Sequence, residues 1–117
     1  MFHMSINIQA TGMELTEAMK EYAIEKMEAS KKYFDNIQKI DIDIGMRSNH
    51  HNKGKIYYAE VNVFIPKQII RVVKDAEDLY KAIDKVKDHL KVEFEKIKGK
   101  MRHKDKQYIR DQKEYQI

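Results

Sequence analysis

Residues 75–104 read DAEDLYKAIDKVKDHLKVEFEKIKGKMRHK. Leu79, Ile83, Val86, Leu90, Phe94, Ile97 and Met101 follow one another at steps of three and four, the spacing that lines apolar side chains along one helical face. Lysine takes up the other faces at almost every turn, and Asp75 is placed to cap the start. Thirty helical residues make a rod of about 45 Å. The rest of the chain must therefore supply an apolar surface for one side of this rod. The other side is left to meet solvent or something anionic.

Upstream of the rod the period changes from helical to alternating. Ile56 to Ile65 places Ala59, Val61, Val63 and Ile65 on one face and Tyr58, Glu60, Asn62 and Phe64 on the other, the pattern of a half-buried strand. Pro66-Lys67 leaves room only for a tight turn, so Ile69 to Lys74 pairs antiparallel with it. Before a polar turn region at 47–54, Ile40, Ile42, Ile44 and Met46 alternate with Asp41, Asp43 and Gly45. Ser5 to Ala10 alternates likewise and breaks at Thr11-Gly12. Between these two strands Thr16 is an N-cap with Glu17 in the first turn. Leu15, Met19, Tyr22, Ala23, Met27, Ser30 and Phe34 mark the inner face of a first helix, which Asp35-Asn36 ends.

The expected fold is α+β in the order β-α-β-β-β-α. It is an antiparallel four-stranded meander with two helices packed on one face. One domain is expected over residues 4–104, with Met1-Phe2-His3 ahead of it and a polar, flexible tail over 105–117. A chain of 117 residues fits that single domain.

Composition removes several function classes. There is no cysteine, so disulfide, thiolate-zinc and Cys-nucleophile chemistry are excluded, and a reducing, cytoplasmic setting is the expectation. No apolar run reaches the roughly 20 residues of a membrane span. Four glycines form no phosphate-loop pattern. Asp41 and Asp43 share a strand face, but a solvated strand explains them better than a carboxylate pair. His3, His50 and His51 suit nickel or zinc in type, yet adjacent loop histidines point apart. No enzyme, metal, cofactor or small-molecule substrate is expected.

The net charge is only +4 with 36% charged residues, so distribution decides what the surface attracts. Glu93, Glu95, Asp84 and Asp88 stand where they can pair with Lys96, Lys98, Lys87 and Lys91. Lys98, Lys100, Arg102, Lys104 and Lys106 are offset by Asp105 alone, and the first helix adds Lys20, Lys26, Lys31 and Lys32. Two helices on one sheet face can set both groups together as a funnel for phosphates. With no tryptophan, base stacking has only Tyr58 and Phe64 on the outer sheet face as candidates. Those two serve equally as a weak self-association patch.

Three segments carry a further signal: Ile6-Asn-Ile-Gln-Ala-Thr-Gly12 with Glu14-Leu-Thr-Glu-Ala-Met-Lys20-Glu-Tyr22, then Lys31-Lys-Tyr-Phe-Asp35, then Glu77-Asp-Leu-Tyr-Lys-Ala-Ile-Asp84 followed by Lys96, Lys98 and Lys100. In order and spacing they resemble a known family, the bacterial ribosome hibernation promoting factors, which include the cold-shock ribosome-associated inhibitor. The resemblance implies a fold similar to double-stranded-RNA-binding domains. It also implies a non-enzymatic partner of the small ribosomal subunit and its rRNA, which covers the tRNA and mRNA sites of the decoding region and silences translation under stress. The candidate RNA-binding set is Lys20, Lys26, Lys31, Lys32, Lys85, Lys91, Lys96, Lys98, Lys100, Arg102 and Lys104. The sequence departs from the family where His89, Val92 and Ala29 replace frequent basic residues. These 117 residues do not include the C-terminal domain by which long members pair two ribosomes; the expectation is the short form if the chain is native, with a piece of a long form as the alternative. The alternative is a protein–protein module acting through the outer sheet face.

Overall fold

Strand β1 (Ser5–Thr11) leads through Gly12, at φ +73°, into α1 (Glu17–Glu28), whose last residues tighten into a 3-10 turn at Ala29–Lys32. Strands β2 (Lys39–Ser48), β3 (Lys55–Ile65) and β4 (Gln68–Ala76) follow, then α2 (Leu79–Tyr115). The computed structural model describes the backbone of residues 5–48 and 55–115, and the side chains of 5–47 and 56–100. His3, His50 and His51 lie outside the described residues, and the side chains of Arg102 and Lys104 lie outside the described side chains.

The sheet order is β1-β2-β3-β4. β2, β3 and β4 form the expected antiparallel meander, but β1 pairs parallel to β2, with Ile6 opposite Ile40 and Ile8 opposite Ile42. The sheet is therefore mixed, not wholly antiparallel. A strand joined to its neighbour through a helix returns in the same direction, whereas a tight turn reverses it. The tight turn at Pro66-Lys67 has Lys67 at φ 71°. Proline before a residue of positive φ is the pattern of a type II turn.

One face of the sheet is apolar because each strand alternates. Ile40, Ile42 and Ile44 of β2, Ala59, Val61, Val63 and Ile65 of β3, and Ile70 and Val72 of β4 are all buried. Ala23, Met27 and Phe34 from the α1 segment close over them, as do Leu79, Ala82, Ile83, Val86, Leu90 and Phe94 of α2. Each of the larger α2 side chains contributes about 1.5–3 kcal/mol gross from burial. Ile97 packs at the edge of this core.

Both ends of α2 differ from the sequence expectation. Asp75 is not its cap, because β4 pairing continues to Ala76, opposite Tyr57. Asp78 takes that place: its carboxylate accepts from Tyr80 N at 2.7 Å and its carbonyl from Ala82 N at 3.1 Å. At the far end the helix continues past Lys104 to Tyr115. Residues 105–115, DKQYIRDQKEY, contain no glycine or proline, so nothing in them interrupts the backbone hydrogen-bond run. Thr16 caps α1 as expected, its Oγ1 accepting from Met19 N at 3.2 Å.

Candidate nucleic-acid interface

α2 carries two adjacent stripes. Leu79, Ile83, Val86 and Leu90 face the sheet and are buried. One position around, Tyr80, Asp84, Lys87, Lys91, Phe94 and Lys98 repeat at the same steps of four and three. In this second stripe Tyr80, Asp84, Lys87 and Lys98 are half-buried, Phe94 is buried and Lys91 is exposed. It is the stripe that meets α1. The rings of Tyr22 and Tyr80 pack at 87° to each other, with centroids 4.9 Å apart, and the Tyr22 hydroxyl donates to Asp84 Oδ1 at 2.6 Å. Farther along, Lys91 Nζ lies over the Tyr33 ring, 5.6 Å from its centroid. Phe34 stacks on Phe94 at 5.5 Å, the planes 16° apart. Early residues touch early and late touch late, so the two helices run side by side in the same direction.

The seam between them is electrically polarised. At its head, the hydrogen bond to Asp84, then burial, then the charges of Asp84, Glu25 and Asp78 push the Tyr22 hydroxyl up to about 12 from its ordinary 10.0. Toward the other end Lys31 and Lys32 are both exposed and directly precede Tyr33, whose ring meets Lys91 on the stripe that also holds Lys87 and Lys98. Lys26 marks the transition, its ammonium 5.1 Å from the centroid of the Tyr22 ring. Glu28 and Asp35 are the acids nearest in sequence to Lys31 and Lys32, and Asp88 directly follows Lys87.

The candidate cations do not all gather here. Lys20 is exposed and lies about 160° around α1 from Tyr22, at about 100° per residue. Lys85 is turned toward β4, where its ammonium donates to Asp75 O at 3.1 Å. Residues two apart on a helix diverge by about 200°, so Lys96, Lys98 and Lys100 are not one row. Lys98 belongs to the seam, whereas Lys96 sits by Glu93 at 3.5 Å. Glu93 also takes His89, at 3.2 Å. Asp84 does not pair with a lysine: among the described residues it makes no ion pair, and its carboxylate is met by the Tyr22 hydroxyl. The sequence reading missed Lys87, Tyr22 and Tyr33. Their steps to known core positions, Lys87 one after Val86 and Tyr33 one before Phe34, were the available signal.

The outer sheet face is a satisfied network. Tyr58 is not an open stacking surface but 7% exposed. Arg47 covers its ring at 4.4 Å from the centroid, and its hydroxyl donates to Asp43 Oδ2 at 3.2 Å. Lys39 covers Phe64 at 4.9 Å. Lys39 pairs with Asp41 at 3.3 Å, Arg71 with Glu60 at 2.9 Å and Arg47 with Asp75 at 3.7 Å. These acids are spent on neighbouring cations and hydroxyls.

Residues 6–102 match the family described as Sigma 54 modulation protein / S30EA ribosomal protein. The chain belongs to this family. Among its members it is 31% identical over 98 residues to the ribosome hibernation promotion factor of Picosynechococcus sp., covering 83% of this chain and 50% of that protein. The factor of Deinococcus radiodurans is 32% identical over 91 residues, 78% of this chain and 47% of that protein. The chain thus spans about half the length of these relatives. The shorter Escherichia coli ribosome hibernation promoting factor is 25% identical over 99 residues and is covered to 98%. In fold, the family member is similar to a ribosomal subunit interface protein from Coxiella burnetii, with TM-score 0.71 and 23% identity over 81% of this chain and 98% of that one. It is also similar to the N-terminal domain of Thermus thermophilus Protein Y, with TM-score 0.60 and 24% identity, covering 79% of this chain and 94% of that one. The expectation of an α+β fold with four strands and two helices holds.

Proposed function

We propose that this protein is a non-enzymatic ribosome hibernation factor of the cytoplasm. It binds rRNA in the decoding region of the small subunit, occupies space that tRNA and mRNA require, and inhibits translation under stress. The observation that carries the reading is the seam, where Lys91 lies over Tyr33, the residue after exposed Lys31 and Lys32, on the α2 stripe that also holds Lys87 and Lys98. Family membership supplies the ribosome as the polyanion. Rigid helices suit the task, because prepositioned cations lose less freedom on binding than a loose basic arm.

Co-sedimentation with purified small subunits at low and high salt tests this, alongside translation in a lysate. The expected result is salt-sensitive binding with loss of translation. A protein that neither sediments with small subunits nor slows translation overturns it. Ile69, 57% exposed opposite Phe64 on the outer face, favours weak self-association as the second reading. Light scattering without RNA separates the two, since a dimer through the sheet is expected only from the second.

A further inference from the structure

Tyr33 is a half-buried aromatic side chain at the basic end of the seam. It directly follows exposed Lys31 and Lys32. Its backbone is held on both sides: its N–H donates to Ser30 O at 3.0 Å, and the next residue, Phe34, is anchored on Phe94. Three other aromatics at the seam are committed. Tyr22 gives its hydroxyl to Asp84 and packs its ring at right angles to Tyr80, and Phe34 and Phe94 are core. The Tyr33 hydroxyl has no hydrogen-bond partner among the described residues. The Tyr33 ring packs in part against the hydrophobic core, and the Lys91 ammonium lies 5.6 Å from its centroid.

We infer that Tyr33 is a stacking position for an unpaired RNA base, with Lys91 as its displaceable cover. The inference rests on the nucleic-acid reading of the seam and names the RNA class it prefers: a stem interrupted by an unpaired nucleotide rather than a uniform duplex. An exposed cation–π contact is weaker than stacking of a base on an aromatic ring, and stacking tolerates any base. When a base arrives on Tyr33, the Lys91 ammonium moves from the ring to the adjoining phosphate. Both contacts then serve binding. The ring is preorganised by Ser30 and Phe34, so little ordering is left to accomplish.

The test uses two synthetic RNA hairpins of equal length, one fully paired and one with a single unpaired 2-aminopurine in its stem. The full chain is expected to bind the interrupted stem roughly fivefold tighter or more and to quench the 2-aminopurine. Tyr33→Phe keeps both properties. Tyr33→Ala loses the quenching and the preference but still binds both hairpins through the lysines. Lys91→Met keeps the quenching while its salt dependence falls by about one unit of log–log slope. Equal affinity of the wild type for both hairpins overturns this inference alone, as does quenching that survives in Tyr33→Ala. Binding of neither hairpin overturns the RNA reading of the seam together with it. Because the wild-type comparison stands by itself, the outcome does not depend on any variant folding.

Discussion

The Tyr22 hydroxyl donates a 2.6 Å hydrogen bond to Asp84, joining residues 62 positions apart and tying the heads of α1 and α2 together. The bond requires a protonated phenol beside an ionised carboxylate, which is why Tyr22 is pushed up to about 12. A folded-state value above the ordinary 10.0 makes the contribution complete below pH 10 and removes it as pH rises toward about 12. Tyr22→Phe is expected to lose about 1 kcal/mol at neutral pH, since the pair is only partly buried. The difference from wild type should disappear above pH 12. Tyrosinate absorbance should show one fewer late-titrating phenol in the variant than in wild type. A wild-type titration with no late phenol would contradict the assignment.

Asp84 also places an unpaired negative charge on the stripe that holds Lys87, Lys91 and Lys98. Asp84→Asn keeps an oxygen for the Tyr22 hydroxyl and removes the charge. Tyr22 should then titrate closer to its ordinary value. Binding to small subunits should tighten roughly twofold at low salt, with the gain vanishing at high salt. Affinity that is unchanged or weaker at low salt would show that bound RNA does not sense the head of the seam.

Gly45 lies beneath the Tyr58 ring. A Cβ there would overlap Cε1 and Cζ of Tyr58 and stand 2.6 Å from the backbone oxygen of Thr11. The ring can turn, but the β1 backbone cannot retreat without breaking its pairing with β2. Gly45→Ala should therefore cost about 1–3 kcal/mol, as for other overpacked sites, and thermal denaturation should register it. A variant as stable as wild type would mean that the Tyr58, Arg47 and Asp43 arrangement on the outer face is loose.

Most of the architecture was legible because periodicity reports it. Alternation located all four strands, and the three-four steps from Leu79 to Phe94 found the face of α2 that the core covers. Direction and ends were less legible. Alternation is the same in a parallel strand as in an antiparallel one, so β1 was misread until its partner was known. Asp75 and Asp78 are equally good caps in sequence, and only β4 pairing as far as Ala76 decides between them. The interface was half legible. Lysine abundance is visible in the chain, but which lysines converge depends on helical angle and on which stripe meets α1. That is why Lys96, Lys98 and Lys100 stand together in the candidate set although they do not share a face, and why Lys87 and Tyr33 are absent from it.

Convergence at the seam makes the lysines unequal, and salt dependence measures the inequality. Each cation that neutralises a phosphate adds about one unit to the slope of log affinity against log salt. Lys91→Gln and Lys98→Gln should each lower that slope by about one in small-subunit binding. Lys96→Gln should change it little, because its ammonium already stands 3.5 Å from Glu93. Lys85→Gln should also change it little, because its ammonium is bonded to Asp75 O, and Lys20→Gln because that residue lies on the far side of α1. Equal losses at all five positions would mean a diffuse basic surface, in which total charge rather than the placement of α1 against α2 governs binding. A loss confined to Lys96 would move the contact to the opposite face of α2. Only a loss concentrated at Lys91 and Lys98 is consistent with a backbone lying along the seam.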